Sequence, residues 1–392
     1  MNKKIPLGIA LAFTVFACVV SFAISAGIME RAYNGVLEGL PEKLDRYEII
    51  DEIDDVINAN YYGKSDSENL EQAMAQGYVS SLGEEENRYM SASRYKNYLS
   101  DRNGNITGIG IKYKKAKNSR IEITYVDRYS PAYEAGLRKG DLIIGFDGIM
   151  LDAENYAEMS EKLTSDKVSS LNLIYKRSET ENTVNVRKGY EAKSVTTDVY
   201  ENVGYIEITA FYPSTPSQVK EAVDRYTSSQ LAAIIIDLRD NGSDNYDLAM
   251  ETLDIFLPMT DSGRAAASVT DKNGKTVKTY TTTAGEVNIP VAVLISSDTK
   301  QAAELFACNL RDFGKALIFA ESKSGGSALM QEIFELSRGD AVLLTTGKVL
   351  PYSGISFDGV GLEPDYTLEK RNSANSISKD NQFLYAFSVM TE

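Results

Sequence analysis

Apolar residues recur at helical spacing in the early part of the chain. In residues 41–100, the isoleucines of "YEIIDEIDDVINANYY" fall three and four positions apart, as on one face of a helix. A Ser-Asp-Ser start signal then precedes "SENLEQAMAQGYVSSL", which repeats the helical pattern. We therefore predict a helical region over residues 31–104.

The pattern changes to alternation from about Ile106. The segments "GIGIKY", "RIEITYV" and "SSLNLIYKR" predict strands around one helical stretch near 153–164. After about Val195, strands and helices alternate, and the apolar run "LAAIIIDL" predicts a strand that is buried on both faces. The predicted fold class is therefore α/β (α+β, multidomain). Its parts are a small sheet domain over 105–190, an α/β core over 191–370 and a tail over 371–392 with a short helix begun by Asp380.

The chain opens with a segment that is long enough to cross a bilayer. Residues 5–28 carry no charge, two lysines precede them, and Glu30 is the first charge after them. This arrangement predicts a single-pass anchor within residues 1–30, a cytoplasmic N-terminus and an extracytoplasmic bulk at the cell membrane. A cleaved signal peptide is the alternative, because residues 23–25 are Ala-Ile-Ser, but the length of the run favours an uncleaved anchor.

Composition excludes several classes of function. The net charge of −15 argues against a nucleic-acid partner, since a polyanion would meet a surface of its own sign. The chain has no histidine, which removes Ser-His and Cys-His catalysis and imidazole zinc sites. Cys18 lies inside the uncharged segment, out of reach of Cys308, so we expect two buried thiols. We find no phosphate loop or metal-ligand cluster and expect neither a cofactor nor a metal.

The order of motifs after the anchor resembles the carboxyl-terminal processing peptidases, also called tail-specific proteases. "NYYGKSDSENLEQAMAQGYVSSLGEEENRYMSASRYKNY" resembles their N-terminal helical region, and "GIGIKY" with "YSPAYEAGLRKGDLIIGFDG" resembles their PDZ domain. "VGYIEITAFYPSTP", "IIIDLRDNGSDNYDLAMETLDIFLP", "PVAVLISSDTKQAAELFACNLRDFGKAL" and "LLTTGKVLPYSGISFDGVGLEPD" follow the family order of the protease domain. The resemblance implies a serine peptidase fold that needs no cofactor.

The segment "GIGIKY" predicts a site for a peptide carboxylate. Gly108 and Gly110 free the backbone N–H groups of a loop before a strand, which can form a nest for an anion. We therefore predict that Gly108, Ile109, Gly110 and Ile111 bind the C-terminus of a peptide.

The catalytic positions that the resemblance implies are substituted. The family nucleophile is a serine in a Ser-Ala-Ser-Ala-Ser-Glu segment, and the corresponding run "TKQAAE" places Gln301 there. A carboxamide cannot be deprotonated to attack a carbonyl. The family base is a lysine in Phe-Gly-Lys-Gly-x-Val-Gln, and here the segment reads "SKSGGSALMQ". Its lysine position falls on Gly326 when aligned from the preceding helix, or on Ser327 when aligned backward from Gln331, the candidate for the family glutamine.

The loop that would stabilise an oxyanion is also changed. The family has Asn-Pro-Gly-Gly, whereas this chain has asparagine followed by Gly242, Ser243 and Asp244. A carboxylate at Asp244 would repel a developing oxyanion, and the loss of one good donor commonly costs about 3 kcal/mol.

The sequence therefore predicts a pseudopeptidase that binds peptide or protein C-termini and has a regulatory or scaffolding role. The alternative is an active serine-type endopeptidase with a relocated dyad, in which Thr299 or Ser297 acts with Lys323. Besides the membrane, a second copy of the chain or a related active peptidase is an expected partner, bound through the helices of residues 41–100.

Overall fold

A computed structural model describes residues 16, 19–26, 29, 40–63, 66–84, 86–164, 168–257, 264–283, 287–372 and 376–392. Residue contacts divide the chain into two compact units, residues 1–74 and 75–392. Most of the segment predicted to cross the membrane lies outside the described residues. Among those that are described, no helix combines the length and the apolar character that a membrane crossing requires.

The first unit contains the helices predicted from the isoleucine pattern. Helix α1 spans Leu40–Asn60, and α2 spans Ser67–Ser80 and continues into the second unit. Several apolar side chains of α1 are open to solvent, with Ile49 58% and Val56 57% exposed. The helical pattern is therefore confirmed, but within this unit it does not seal a core.

The prediction of helices throughout residues 41–100 is wrong at one place. Arg88–Met90 forms strand β1, and helix α3 (Ala92–Arg102) follows it. Met90 pairs with Ala341 and is buried, so the partner strand lies far away in sequence. Three residues are too few for alternation to reveal a strand.

The predicted small sheet domain is an antiparallel sheet with a core of its own. The sheet order is β3-β4-β5-β7-β8, and β6 pairs with β5. The strands are β3 (Ile111–Ala116), β4 (Arg120–Val126), β5 (Leu142–Phe146), β6 (Ile149–Met150), β7 (Ser170–Arg177) and β8 (Thr180–Arg187). Helices α4 (Pro131–Glu134) and α5 (Tyr156–Glu161) flank the sheet, and the short strands β2 (Asn105–Ile106) and β9 (Tyr190–Glu191) pair at its ends.

The α/β core is built on a six-stranded sheet in the order β10-β11-β12-β15-β16-β19. All its pairs are parallel except β10 with β11. Every residue of β12 is buried, which confirms the prediction of a strand covered on both faces. The strands are β10 (Val195–Tyr200), β11 (Val203–Ile208), β12 (Ala233–Asp237), β15 (Val291–Leu294), β16 (Ala316–Ala320) and β19 (Tyr366–Thr367).

Helices cover both faces of this sheet. On one face, α6 (Thr215–Ser228), α7 (Tyr246–Asp254) and α8 (Gln301–Asp312) share one apolar cluster with the strands. On the other face, Phe383 of α9 (Asn381–Thr391) packs on Tyr205 and Phe319. Asp380 caps α9 by accepting from the amides of its first turn, which confirms the predicted helix start.

A second sheet in the core region is absent from the sequence prediction. β18 (Ala341–Pro351) pairs with β1, with β17 (Leu329–Glu335) and with β13 (Arg264–Thr270), which in turn pairs with β14 (Thr276–Thr282). β17 is largely solvent-accessible, so its sequence lacks the continuous apolar run that marks β12.

Candidate functional site

The predicted carboxylate loop precedes β3 and is held by its carbonyl groups. The carbonyl oxygens of Gly108, Ile109 and Gly110 all accept backbone hydrogen bonds from other segments, at 2.9 to 3.0 Å. Ile109 is buried in the core of the small sheet domain. The loop is therefore fixed without the use of its own N–H groups in these bonds.

The glycine at position 110 is required by the backbone. Gly110 has φ +87°, and a Cβ atom there would lie 2.1 Å from the Ser130 Cβ and 2.7 Å from the Tyr190 hydroxyl. Ser130 in turn caps α4, since its hydroxyl accepts from the Tyr133 amide at 3.2 Å. The backbone and its neighbours therefore require glycine at this turn.

The loop opens into a cavity of about 350 Å³ that the α/β core also lines. Gly108–Ile111 form one wall, and Gly242, Ser243 and Asp244 form another. The structure therefore brings together the predicted peptide loop and the predicted oxyanion loop. Other residues that line the cavity are Tyr98, Asp101, Arg102, Ile106, Lys112, Tyr125, Asp127, Leu163, Phe211 and Asp240.

The predicted nucleophile position lies at a strained turn before a helix. Gln301 is the first residue of α8 and has φ +53°, a left-handed conformation that a non-glycine residue rarely adopts. The nucleophile of the α/β-hydrolases also lies on a strained turn before a helix. The Lys300 amide donates to the Asn241 carbonyl at 3.0 Å and the Ala302 amide to the Ser243 carbonyl at 2.9 Å. These two bonds hold the oxyanion loop against Gln301.

Two carboxamides meet at this turn. The Gln301 Nε2 donates to the Gln331 Oε1 at 3.1 Å, while the Gln331 Nε2 is buried without a hydrogen-bond partner among the described residues. Gln331 was predicted as the candidate for the family glutamine, and the structure places it beside the nucleophile position. Neither side chain can act as a nucleophile or as a base.

The loop at the base position is fixed by a buried carboxylate. Glu304, on the first turn of α8, accepts from the Ser324 hydroxyl, from the Gly326 amide at 2.9 Å and from the Ser327 amide at 3.0 Å. Burial raises the pKa of Glu304, although these donors oppose the shift. The loop keeps a defined shape without a lysine, and sequence reasoning gave Glu304 no such role.

The two alignments of the base position differ in what the backbone allows. Gly326 has φ +71°, and a Cβ atom there would lie 2.9 Å from the Gly361 amide nitrogen. A lysine at 326 would therefore strain the loop, whereas Ser327 already carries a side chain. The geometry favours Ser327 as the place that a lysine could occupy.

The groups of the alternative dyad have other partners. The Lys323 ammonium lies 2.6 Å from a Glu363 carboxylate oxygen. The buried Thr299 hydroxyl donates to the Leu238 carbonyl at 2.8 Å. Ser297 is exposed. Activation of Thr299 by Lys323 would require both side chains to leave these contacts.

Asp244 points its carboxylate at helix α3. The Tyr98 hydroxyl donates to it at 3.0 Å, and Arg102 lies 3.9 Å away. Burial and the charge of Asp244 raise the pKa of Tyr98, so this donor keeps its proton. An acidic group thus lies in the loop that was predicted to stabilise an oxyanion, a role that needs hydrogen-bond donors. Within the described ranges, no three acidic or cysteine side chains come together as a metal site.

Lys112 also reaches this site, and sequence reasoning missed it. Its ammonium lies 3.8 Å from where a Cβ of Gly242 would be. The side chain keeps contact with the water of the open cavity, yet desolvation by the surrounding protein lowers the pKa of Lys112. The carboxylates of Asp298 and Asp240 oppose this shift, and the charge of Lys300 adds to it. The one signal in the sequence is the position of Lys112 directly after Ile111. Successive side chains of a strand point to opposite faces, so Lys112 points away from the face of Ile111.

Two family models match this chain. Residues 202–368 match the model of peptidase family S41, and residues 122–177 match a PDZ domain model. A relative in Staphylococcus aureus, described as a probable CtpA-like serine protease, is 28% identical over 339 residues, covering 85% of this chain and 67% of the relative. A Staphylococcus epidermidis relative of the same description is 26% identical over 332 residues, covering 83% and 67%.

Two solved structures share the fold. The photosystem II D1 C-terminal processing protease superposes with a TM-score of 0.58 at 20% identity, covering 75% of this chain and 80% of that one. An S41 protease structure from Bacteroides fragilis gives 0.53 at 18% identity, covering 85% and 91%. At such identities the likeness supports the architecture alone.

Proposed function

This chain belongs to the C-terminal processing peptidase family, and from that premise we propose that it binds peptide C-termini without cleaving them. Such a pseudopeptidase would have a regulatory or scaffolding role. The observation that carries the proposal is the Gln301–Gln331 contact at a turn whose backbone is still shaped for a nucleophile.

Binding is supported by the geometry of the predicted carboxylate loop, Gly108–Ile111. Gly110 occupies a position that only glycine can fill, and the loop faces a cavity that is open to water. Backbone N–H groups and a pocket suffice to hold a peptide end, because recognition of this kind needs no reactive side chain. The substitutions in the cleft therefore leave the binding function intact.

The absence of cleavage is supported by three separate positions. Gln301 offers no ionisable oxygen, neither Gly326 nor Ser327 offers an amine, and Asp244 places negative charge beside the oxyanion loop. Each loss alone lowers the rate by orders of magnitude, and none is repaired by a neighbouring group of the same kind in the contacts described above.

An active serine-type endopeptidase is the alternative, and the retained strain at Gln301 is the observation in its favour. It would use Thr299 or Ser297 with Lys323. Combined alanine substitution of Ser296, Ser297, Thr299 and Lys323 would then abolish turnover. Turnover that survives in that variant would rule out this alternative.

We also propose a single-pass membrane anchor that leaves the bulk of the chain outside the cytoplasm. The uncharged residues 5–28 and the lysines before them support it. Protease added to intact cells should degrade the chain beyond residue 30. Full protection in intact cells, followed by degradation after lysis, would contradict this topology.

The exposed apolar side chains of α1, such as Ile49 and Val56, support an oligomeric partner for the first unit. We propose that a second copy or a related active peptidase covers them. Light scattering of the full-length protein tests the first, and co-purification tests the second. A monomer that brings no peptidase with it would remove this part of the proposal.

The proposed function is tested by calorimetry of the full-length protein with unstructured peptides that end in apolar residues. We expect these peptides to bind. Binding should be lost when extra residues that fold follow the same peptide, because its C-terminus is then blocked. An absence of binding to every apolar C-terminus would contradict the proposal, whatever the catalytic state of the cleft.

A further inference from the structure

Charged residues line the cavity beside the Gly108–Ile111 loop, but each of its carboxylates already has a partner. Among the described residues, four aspartates line it, and each has a hydrogen-bond donor or a cation of its own. The partners are the Thr107 amide for Asp101 (2.6 Å), the Tyr190 hydroxyl for Asp127 (2.6 Å), Arg371 for Asp240 (3.2 Å) and the Tyr98 hydroxyl for Asp244 (3.0 Å). These carboxylates are therefore parts of the wall rather than open sites for a ligand.

The two cations of the cavity differ in this respect. Arg102 donates to the Tyr98 hydroxyl at 3.1 Å and lies 3.9 Å from Asp244. Lys112 instead lies over the Tyr125 ring, 5.3 Å from its centroid, and no carboxylate in the described part of the chain forms an ion pair with it. Lys112 is thus the charge in the cavity that an incoming anion can neutralise.

Lys112 also stands between the two walls. It follows directly on the carboxylate loop, and its ammonium extends to the neighbourhood of Gly242 in the remnant cleft. The anion-binding loop, the free ammonium and the remnant oxyanion loop therefore share one space rather than forming two separate sites.

The rest of the cavity suits an apolar peptide end. Ile106, Ile109, Ile111, Leu163 and Phe211 contribute to its lining. Its volume of about 350 Å³ is near the lower end of the range of about 300–1,000 Å³ for small-ligand pockets. The space holds the end of a peptide rather than a long segment.

We propose that a peptide C-terminus binds in this cavity with its carboxylate neutralised by Lys112, which makes Lys112 the residue that selects a free carboxylate. The inference rests on the proposed function and adds the residue and the chemistry that give it specificity. An ammonium–carboxylate hydrogen bond is stronger than the bond of a neutral donor to the same oxygen. Lys112 thereby turns part of a catalytic cleft into part of a binding site.

The test compares one apolar peptide with a free C-terminus and the same peptide with a C-terminal amide, by calorimetry on the full-length protein. The wild type should bind the free carboxylate about tenfold more tightly, which corresponds to about 1.4 kcal/mol. Lys112→Met should lose this preference, and Lys112→Arg should restore most of it. Thermal unfolding of each variant reports whether it is folded.

Lys114→Met is the matched control. Lys114 lies on the same strand and pairs with Glu122 at 3.2 Å, so its removal changes the net charge equally without reaching the cavity. We expect Lys114→Met to behave as the wild type. A Lys112→Met variant that keeps the wild-type preference, or a Lys114→Met variant that loses it, would overturn the inference and leave the proposed function standing. A wild type that binds neither peptide would instead contradict the proposed function itself.

Discussion

The predicted peptide loop and the predicted nucleophile turn both contain a residue with positive φ. They differ in whether the residue at that position suits the predicted role. At Gly110 the residue type that the turn requires is present, and everything the loop offers to a ligand is backbone. At Gln301 the positive-φ turn carries a carboxamide, which cannot supply the attacking oxygen that the proposed alignment expects at this position. Backbone groups can take part in binding whatever side chains surround them, whereas catalysis depends on particular side chains.

The two regions are also held in place by different groups. The peptide loop is tied through its own carbonyl groups. The cleft loop around Gly326 is tied by Glu304, a buried side chain that plays no part in acid–base chemistry in our account. Such hydrogen bonds hold the shape of the cleft independently of the residues at the predicted catalytic positions.

The largest effect is expected at the peptide loop. Gly110→Ala should lower the free energy of unfolding by about 2–3 kcal/mol, because the new methyl group collides with Ser130 and Tyr190 in a left-handed backbone. Peptide affinity should fall at least about tenfold. Chemical denaturation and calorimetry measure the two effects.

Gly148→Ala is the control for that substitution. Gly148 has φ +84° in the same domain, but nothing lies within 4 Å of the added methyl group. It should lose only about 1 kcal/mol, from backbone strain, and keep its affinity for peptide. Equal losses in the two variants would show that close packing at Gly110 is unimportant.

Removal of the charge at Glu304 should have a smaller effect, on stability alone. Glu304→Gln keeps one acceptor oxygen but turns an NH₂ group toward an amide donor, which should cost about 1–3 kcal/mol of unfolding free energy. Peptide affinity should be unchanged, because Glu304 does not line the cavity. A parallel loss of affinity would show that the two regions are more tightly linked than the structure indicates.

The same variant should remove a dependence of stability on pH. Burial raises the pKa of Glu304 in the folded chain, so the folded state holds this proton more tightly than the unfolded state. The resulting stabilisation is fully present below the unfolded pKa of about 4.3 and is lost as pH rises through the folded pKa. The difference in unfolding free energy between the wild type and Glu304→Gln should therefore shrink as pH rises through this window. A constant difference would contradict the assignment.

The smallest expected effect concerns strain at the nucleophile turn. Gln301→Gly and Gln301→Ala both remove the contact with Gln331, but only glycine adopts φ +53° freely. The glycine variant should be more stable than the alanine variant by about 1 kcal/mol. Denaturation curves of the pair measure it, and equal stability would mean that the turn relaxes.

The sequence predicted what depends on local pattern and on motif order. It identified the buried β12 run, the Asp380 helix start and the loop before β3, because each is encoded by adjacent residues. It missed β1, which is short and pairs with a strand some 250 residues away. Lys112 was missed for a similar reason, since its role depends on where the α/β core lies against β3. Aligned residues alone also left Gly326 and Ser327 equivalent, and only the backbone at Gly326 distinguishes them.

A bound peptide that is followed over time distinguishes a pseudopeptidase from an active peptidase. The full-length protein is incubated with a peptide that calorimetry shows to bind, and the mass of the peptide is followed by mass spectrometry. We expect the peptide to stay intact at saturation. Cleavage by the wild type that disappears when Ser296, Ser297, Thr299 and Lys323 are replaced by alanine would contradict it.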